Sequence, residues 1–168
     1  MKKGWGIIIA LLGGAFFYLT RNTTNQTSRE SEKLNALPFS NLIYQASNKH
    51  QVDPKLIASI IKIESNFQPD SIGDNGTSFG LMQVNCTRRL TGAISTARVV
   101  GFKDDCRDLL NPAIGIDVGT AYLARQLNKY GPDGVVAYNT GYPYNTDKTV
   151  KTGTNNYAQR VMSFYQSL

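Results

Sequence analysis

Histidine occurs once in the 168-residue chain, as His50, and cysteine twice, as Cys86 and Cys106. That scarcity excludes a His-rich zinc site, an HExxH protease and a four-ligand Cys/His finger, so neither a metal nor a cofactor is expected. A Ser-His-Asp or Cys-His enzyme would have to use His50, and no G-x-S-x-G elbow accompanies it. Blocks of Lys and Arg, and alternation of aromatic with basic residues, are also missing, which argues against nucleic acid as a partner. Glutamate is nearly absent after the first 36 residues, where Glu64 stands alone.

What the chain does hold is enough apolar residue, 41% against 18% charged, to bury a core. Its length suits one domain of roughly 100–150 residues with an appendage. The net charge of +6 suits an anionic polymer or a membrane surface. Half of it lies in residues 1–36, where five basic residues face two acidic ones; the other 132 residues carry 13 basic and 10 acidic.

Lys2 and Lys3 precede an uncharged run from Gly4 to Leu19, closed by Thr20 and Arg21. As a helix these sixteen residues would measure about 24 Å against a hydrocarbon core of ~30 Å. The run ends Phe16-Phe17-Tyr18-Leu19 rather than in the small residues of a cleavage site. The expectation is therefore an uncleaved membrane helix over residues 1–20 with the lysines cytoplasmic, a cleaved signal segment being the other reading. Residues 21–36 are dominated by polar side chains and read as a flexible tether. The folded domain is expected from Leu37 to Leu168.

That domain reads as helical. Phe39, Leu42, Ile43 and Ala46 give a stripe for a helix over Ser40–Lys49, with His50 at its polar end in a satisfied or solvent-facing role. Asp53 and Pro54 open the next helix as N-cap and first residue. Along it Ile57, Ile60, Ile61 and Glu64 share one face, so Glu64 projects from the buried stripe at the C-terminal end. Partial desolvation and the negative end of the helix dipole both raise a carboxyl pKa, and a carboxyl protonated near neutrality is a general acid. Asp74-Asn75-Gly76 marks the tip of a hairpin. A new helical segment is expected from Leu81. Asn111-Pro112 opens a long central helix that closes at Lys129-Tyr130 before Gly131. A short helix around Val135–Tyr138 and a last one near Asn155–Gln166 complete the chain.

Glu64-Ser65-Asn66-Phe67-Gln68-Pro69, the Asp74-Asn75-Gly76 hairpin and Gly80-Leu81-Met82-Gln83 follow one another. Asn111-Pro112 with Gly119 and Tyr122-Leu123, then Ala137-Tyr138-Asn139 with Gly141, then Tyr157 with Val161, come later in the same order. In these motifs residues 38–166 resemble the lysozyme-like lytic transglycosylases, the SLT family related to goose-type lysozyme. The resemblance implies a mainly α (α+β) lysozyme-like fold with a small β-hairpin. It implies cleavage of the bond between N-acetylmuramic acid and N-acetylglucosamine in peptidoglycan, with Glu64 as acid and then base and a 1,6-anhydro product. It further implies that Gln83 and Asn85 bond substrate, that Tyr138 and Asn139 line donor-side subsites, and that Tyr157 orients Glu64. Many members carry a Ser in the hairpin where a count places Gly73 or Asp74, so Ser78 is the nearest substitute. If Asp74 enters the cleft, a hydrolytic muramidase is the other reading; a catalytically silent wall-binding component of an envelope machine or virion is a third. A secretion, conjugation or virion assembly is the kind of partner that a small anchored enzyme would serve, on the periplasmic side of the inner membrane or in a virion membrane.

In an exported domain, Cys86 and Cys106 are expected to form a disulfide around residues 87–105, with two free buried thiols as the other reading.

Overall fold

A computed structural model describes residues 8–12, 15–19, 22–86, 105–151 and 156–168. The chain divides into two compact units, Met1–Ala36 and Leu37–Leu168.

The first unit corrects the expected membrane helix. Ile8–Leu12 (β1) and Ala15–Leu19 (β2) pair as antiparallel strands, Ile8 opposite Leu19 and Leu12 opposite Ala15. Length had suggested a helix, but the run is rich in Ile, Phe and Tyr, which favour strands, and Gly13-Gly14 divides it. Among the described residues no helix is long and apolar enough to cross a membrane. The segment read as a tether also differs, because Asn22–Asn35 is a helix, α1. It holds no Gly or Pro, and Arg29–Glu32 and Glu30–Lys33 set opposite charges three residues apart, the spacing that supports a helix without an apolar face.

In the second unit α2 spans Ser40–His50 and α3 spans Pro54–Ser65. The Asp53 side chain accepts from the Lys55 N–H at 2.9 Å, satisfying one of the orphan donors of the α3 start. Three short antiparallel strands follow, β3 (Ile72–Gly73), β4 (Ser78–Phe79) and β5 (Val84–Asn85), in sheet order β3-β4-β5. The β3–β4 turn is tipped by Asp74 and Asn75, both at positive φ, as the Asp-Asn-Gly signal predicts. The helix expected from Leu81 does not form. Gly80–Gln83 is a turn that feeds β5, and Leu81, Met82 and Val84 are buried there; four apolar-rich residues are too few for periodicity to separate a helix from a buried turn.

Cys86 and Cys106 are disulfide-bonded, with Cα atoms 6.0 Å apart, and tie the end of β5 to a 3₁₀ turn at Cys106–Leu110. In the loop-entropy model a closure of this length contributes about 3 kcal/mol. The central helix α4 covers Pro112–Tyr130, capped by the Asn111 side chain on the Ala113 N–H, and is followed by α5 (Gly134–Thr140) and α6 (Tyr157–Ser167).

The core of this unit is built where α4 meets α2 and α5, and where α3 meets α6. Ile43, Ile57, Ile60, Ile61, Ile116 and Leu123 are fully buried in it. Gly119 on α4 leaves room for Met82, since a Cβ there would lie 2.6 Å from the Met82 side chain. His50 is part of the scaffold: its Nε2 lies 2.7 Å from Asp117 on α4, and Lys49 pairs with the other oxygen of that carboxylate. The α3–α6 pair runs antiparallel and is fastened at both ends. Tyr165 donates to Asp53 at 2.6 Å at one end, and Tyr157 donates to Glu64 at 2.7 Å at the other.

Candidate active site

Glu64 sits on the last turn of α3, which stops at Asn66 because Asn66 and Phe67 both adopt positive φ. The next residue, Ser65, is buried and donates to the carbonyls of Ile61 (3.1 Å) and Leu81 (2.9 Å), pinning the Gly80–Gln83 turn against the end of the helix. Glu64 itself is partly buried, with the Tyr157 hydroxyl donating to Oε1. Desolvation pushes the carboxyl up from an ordinary 4.5 to about 7, and the negative charge of Asp74 acts in the same direction. The Tyr157 hydrogen bond and the positive charge of Arg160 pull the other way without cancelling the burial.

The other expected residues are held in different ways. Tyr138, buried on α5, donates its hydroxyl to the Met82 carbonyl at 2.7 Å and sets its ring 5.3 Å from that of Tyr122. Burial and the charge of Glu64 push its hydroxyl pKa well up, so it stays a neutral donor. Asn139 follows it on the same helix, half-buried. Gln83 belongs to the hairpin base: its amide nitrogen donates to the carbonyls of Ser71 (3.1 Å) and Gly80 (2.9 Å). Ser78 is buried on β4 and donates to Asp74 Oδ2 at 2.6 Å, while the Asn85 amide lies 3.4 Å from the hydroxyls of Thr77 and Ser78. Glu64 and Tyr157 are therefore joined directly. Ser78, Asp74 and Asn85 form a separate polar cluster on the hairpin, and Gln83 spends its donor on backbone.

Two members of the site were not among the expected site residues. Arg160 is recognisable only as one helical turn beyond Tyr157. Met82 enters through its backbone carbonyl, which side-chain chemistry cannot announce.

The model of the transglycosylase SLT domain matches residues 41–161. The chain belongs to this family. It is 31% identical over 115 residues to a peptidoglycan-binding-like protein of Escherichia coli O157:H7, covering 62% of this chain and 66% of that one. It is 28% identical over 128 residues to membrane-bound lytic murein transglycosylase E of Buchnera aphidicola, covering 73% of this chain and 56% of the relative. Among solved structures, an inactive mutant of lytic transglycosylase Slt from Pseudomonas aeruginosa superposes with a TM-score of 0.59 at 19% identity. That match covers 74% of this chain and 23% of the other, and it establishes the fold of the SLT domain. The chain spans from 23% to 66% of the length of these three proteins.

Proposed function

We propose that the SLT domain is a peptidoglycan lytic transglycosylase that cleaves the β-1,4 bond between N-acetylmuramic acid and N-acetylglucosamine. The observation that carries this reading is the Glu64 carboxyl, partly buried, raised to about 7 and held by Tyr157. Such a group is half protonated near neutral pH and can give a proton to the glycosidic oxygen as the bond to C1 breaks. Because Tyr157 donates to Oε1, the transferable proton belongs on Oε2. The resulting carboxylate then accepts the proton of the muramic acid C6 hydroxyl as that oxygen bonds to C1, closing the anhydro ring and returning Glu64 to its acid form. An internal nucleophile needs no second carboxylate and has a large effective-molarity advantage. Peptidoglycan as substrate places the work on the wall side of the cell envelope.

Asp74 supports a second reading. Its charge reaches Glu64, and a carboxylate on the far side of the sugar could activate water for hydrolysis. Mass spectrometry of digested wall separates the two, since anhydro ends weigh one water less than reducing ends. Reducing ends as the main product would overturn the transglycosylase reading in favour of a muramidase.

Tyr157→Phe tests the orienting role. Its bond favours the ionised carboxyl, so its removal is expected to move the alkaline limb of the kcat/KM profile to higher pH while kcat falls about 10²-fold. A hydroxyl that merely packs would leave that limb where it is.

A further inference from the structure

Outside the site, three tyrosines stand against one another at the C-terminal ends of α4 and α5. The rings of Tyr130, Tyr142 and Tyr144 have centroids 5.5–6.1 Å apart and meet at 79–83°. Rings packed edge to face usually belong to a core, yet Tyr142 is 51% exposed. Lys151 holds its ammonium 5.6 Å from the Tyr142 centroid, and Lys129 holds its own 4.9 Å from that of Tyr130. The surface is therefore both aromatic and cationic.

It is also built rigidly. Thr140 donates from its hydroxyl to the carbonyls of Val136 and Tyr142, tying the segment to the end of α5. Tyr144 bridges Val150 and donates to Asp133, and the Lys151 N–H closes on the Pro143 carbonyl at 2.7 Å. Rings fixed in this way lose little further entropy when something binds.

We infer that Tyr142, packed against Tyr130 and Tyr144, with the Lys151 ammonium over its ring and that of Lys129 over the Tyr130 ring, is a stacking platform that holds the glycan strand of the wall outside the cleavage site. The C–H faces of a pyranose ring are apolar and fit a tyrosine face, while the lysine ammonium groups complement the carboxylates of the peptide stems that the strand carries. Tyr142 lies four residues beyond Tyr138, which limits their separation to about 14 Å. A glycan strand that reaches the end of α5 can therefore reach Tyr142 as well. The inference rests on the reading of peptidoglycan as substrate, but it concerns binding and not bond cleavage.

Its test is co-sedimentation with purified insoluble peptidoglycan, using Glu64→Gln as the non-cleaving parent. Tyr142→Ala is expected to weaken binding about tenfold, the scale of an aromatic interface anchor. Tyr142→Phe is expected to keep it, and Lys151→Glu to weaken binding to intact wall but not to glycan from which an amidase has stripped the stems. Equal binding by Tyr142→Ala and its parent, at equal melting temperature, would overturn the platform and leave the tyrosines to a protein partner. A parent that does not sediment with the wall would overturn it as well. The transglycosylase reading fails separately, on a wild-type chain that binds wall and releases no anhydro product.

Discussion

Glu64→Gln is expected to lower cleavage of the wall by about 10³-fold or more, since it removes the acid of the first step and the base of the second. It is also expected to make the fold more stable in alkali. The folded carboxyl titrates at about 7 against an ordinary 4.5, so between those values the folded chain keeps a proton that the unfolded chain has released. Stability therefore falls as pH rises through that window, and above it the whole penalty, on the order of 3 kcal/mol, is in place. Glutamine has no proton to lose. Thermal unfolding of the variant is expected to match wild type at about pH 4 and to exceed it at about pH 8. No gain at the higher pH would refute burial as the source of the raised pKa; cleavage near the wild-type rate would refute the role of Glu64.

Gly80→Ala is expected to cost on the order of 3–5 kcal/mol, through two effects that add. Gly80 adopts φ +72, where a Cβ is strained by roughly 1–2 kcal/mol. The new Cβ would also fall on the Leu109 carbonyl oxygen and within 3.0 Å of its carbon, and this is backbone that cannot rotate aside. The sheet and the 3₁₀ turn at Cys106–Leu110 must separate to admit it. Activity is expected to fall further than stability alone dictates, because the turn that moves carries the Leu81 carbonyl bonded by Ser65 and the Met82 carbonyl bonded by Tyr138. Urea denaturation measures the first effect as a lower midpoint at unchanged slope. A loss below about 1 kcal/mol would mean that the turn yields easily, against so close an approach of Gly80 to Leu109.

What could be read beforehand was what short-range chemistry specifies. Asp53-Pro54 and Asn111-Pro112 set the starts of α3 and α4 to the residue, and Gly131 the end of α4, because capping depends on neighbours along the chain. The Asp74-Asn75-Gly76 turn was legible for the same reason. The place of Glu64 at the end of an apolar helix face was legible as well, and it lies there partly buried on the last turn of α3. The reading went wrong where one pattern fits two structures. The apolar run at the N-terminus has the length of a helix but the residue types of a hairpin, and the polar stretch at 22–35 is helical without a stripe to announce it. The segment from Leu81 reads as the start of a helix, but a turn stands there and feeds the third strand of a sheet. The partners of Gln83, Tyr138 and His50 are backbone carbonyls or a carboxylate 67 residues away, and no local signal encodes such pairings.

The bond between Tyr157 and Glu64 joins residues 93 positions apart and depends on α6. Closing so long a loop is entropically unfavourable until most of the core has formed, so this contact belongs to the late stage of folding. A chain emerging from the ribosome presents Glu64 well before it presents Tyr157. The hydroxyl that bonds the Glu64 carboxyl therefore joins it only after the 92 residues between them have been made and α6 has packed on α3.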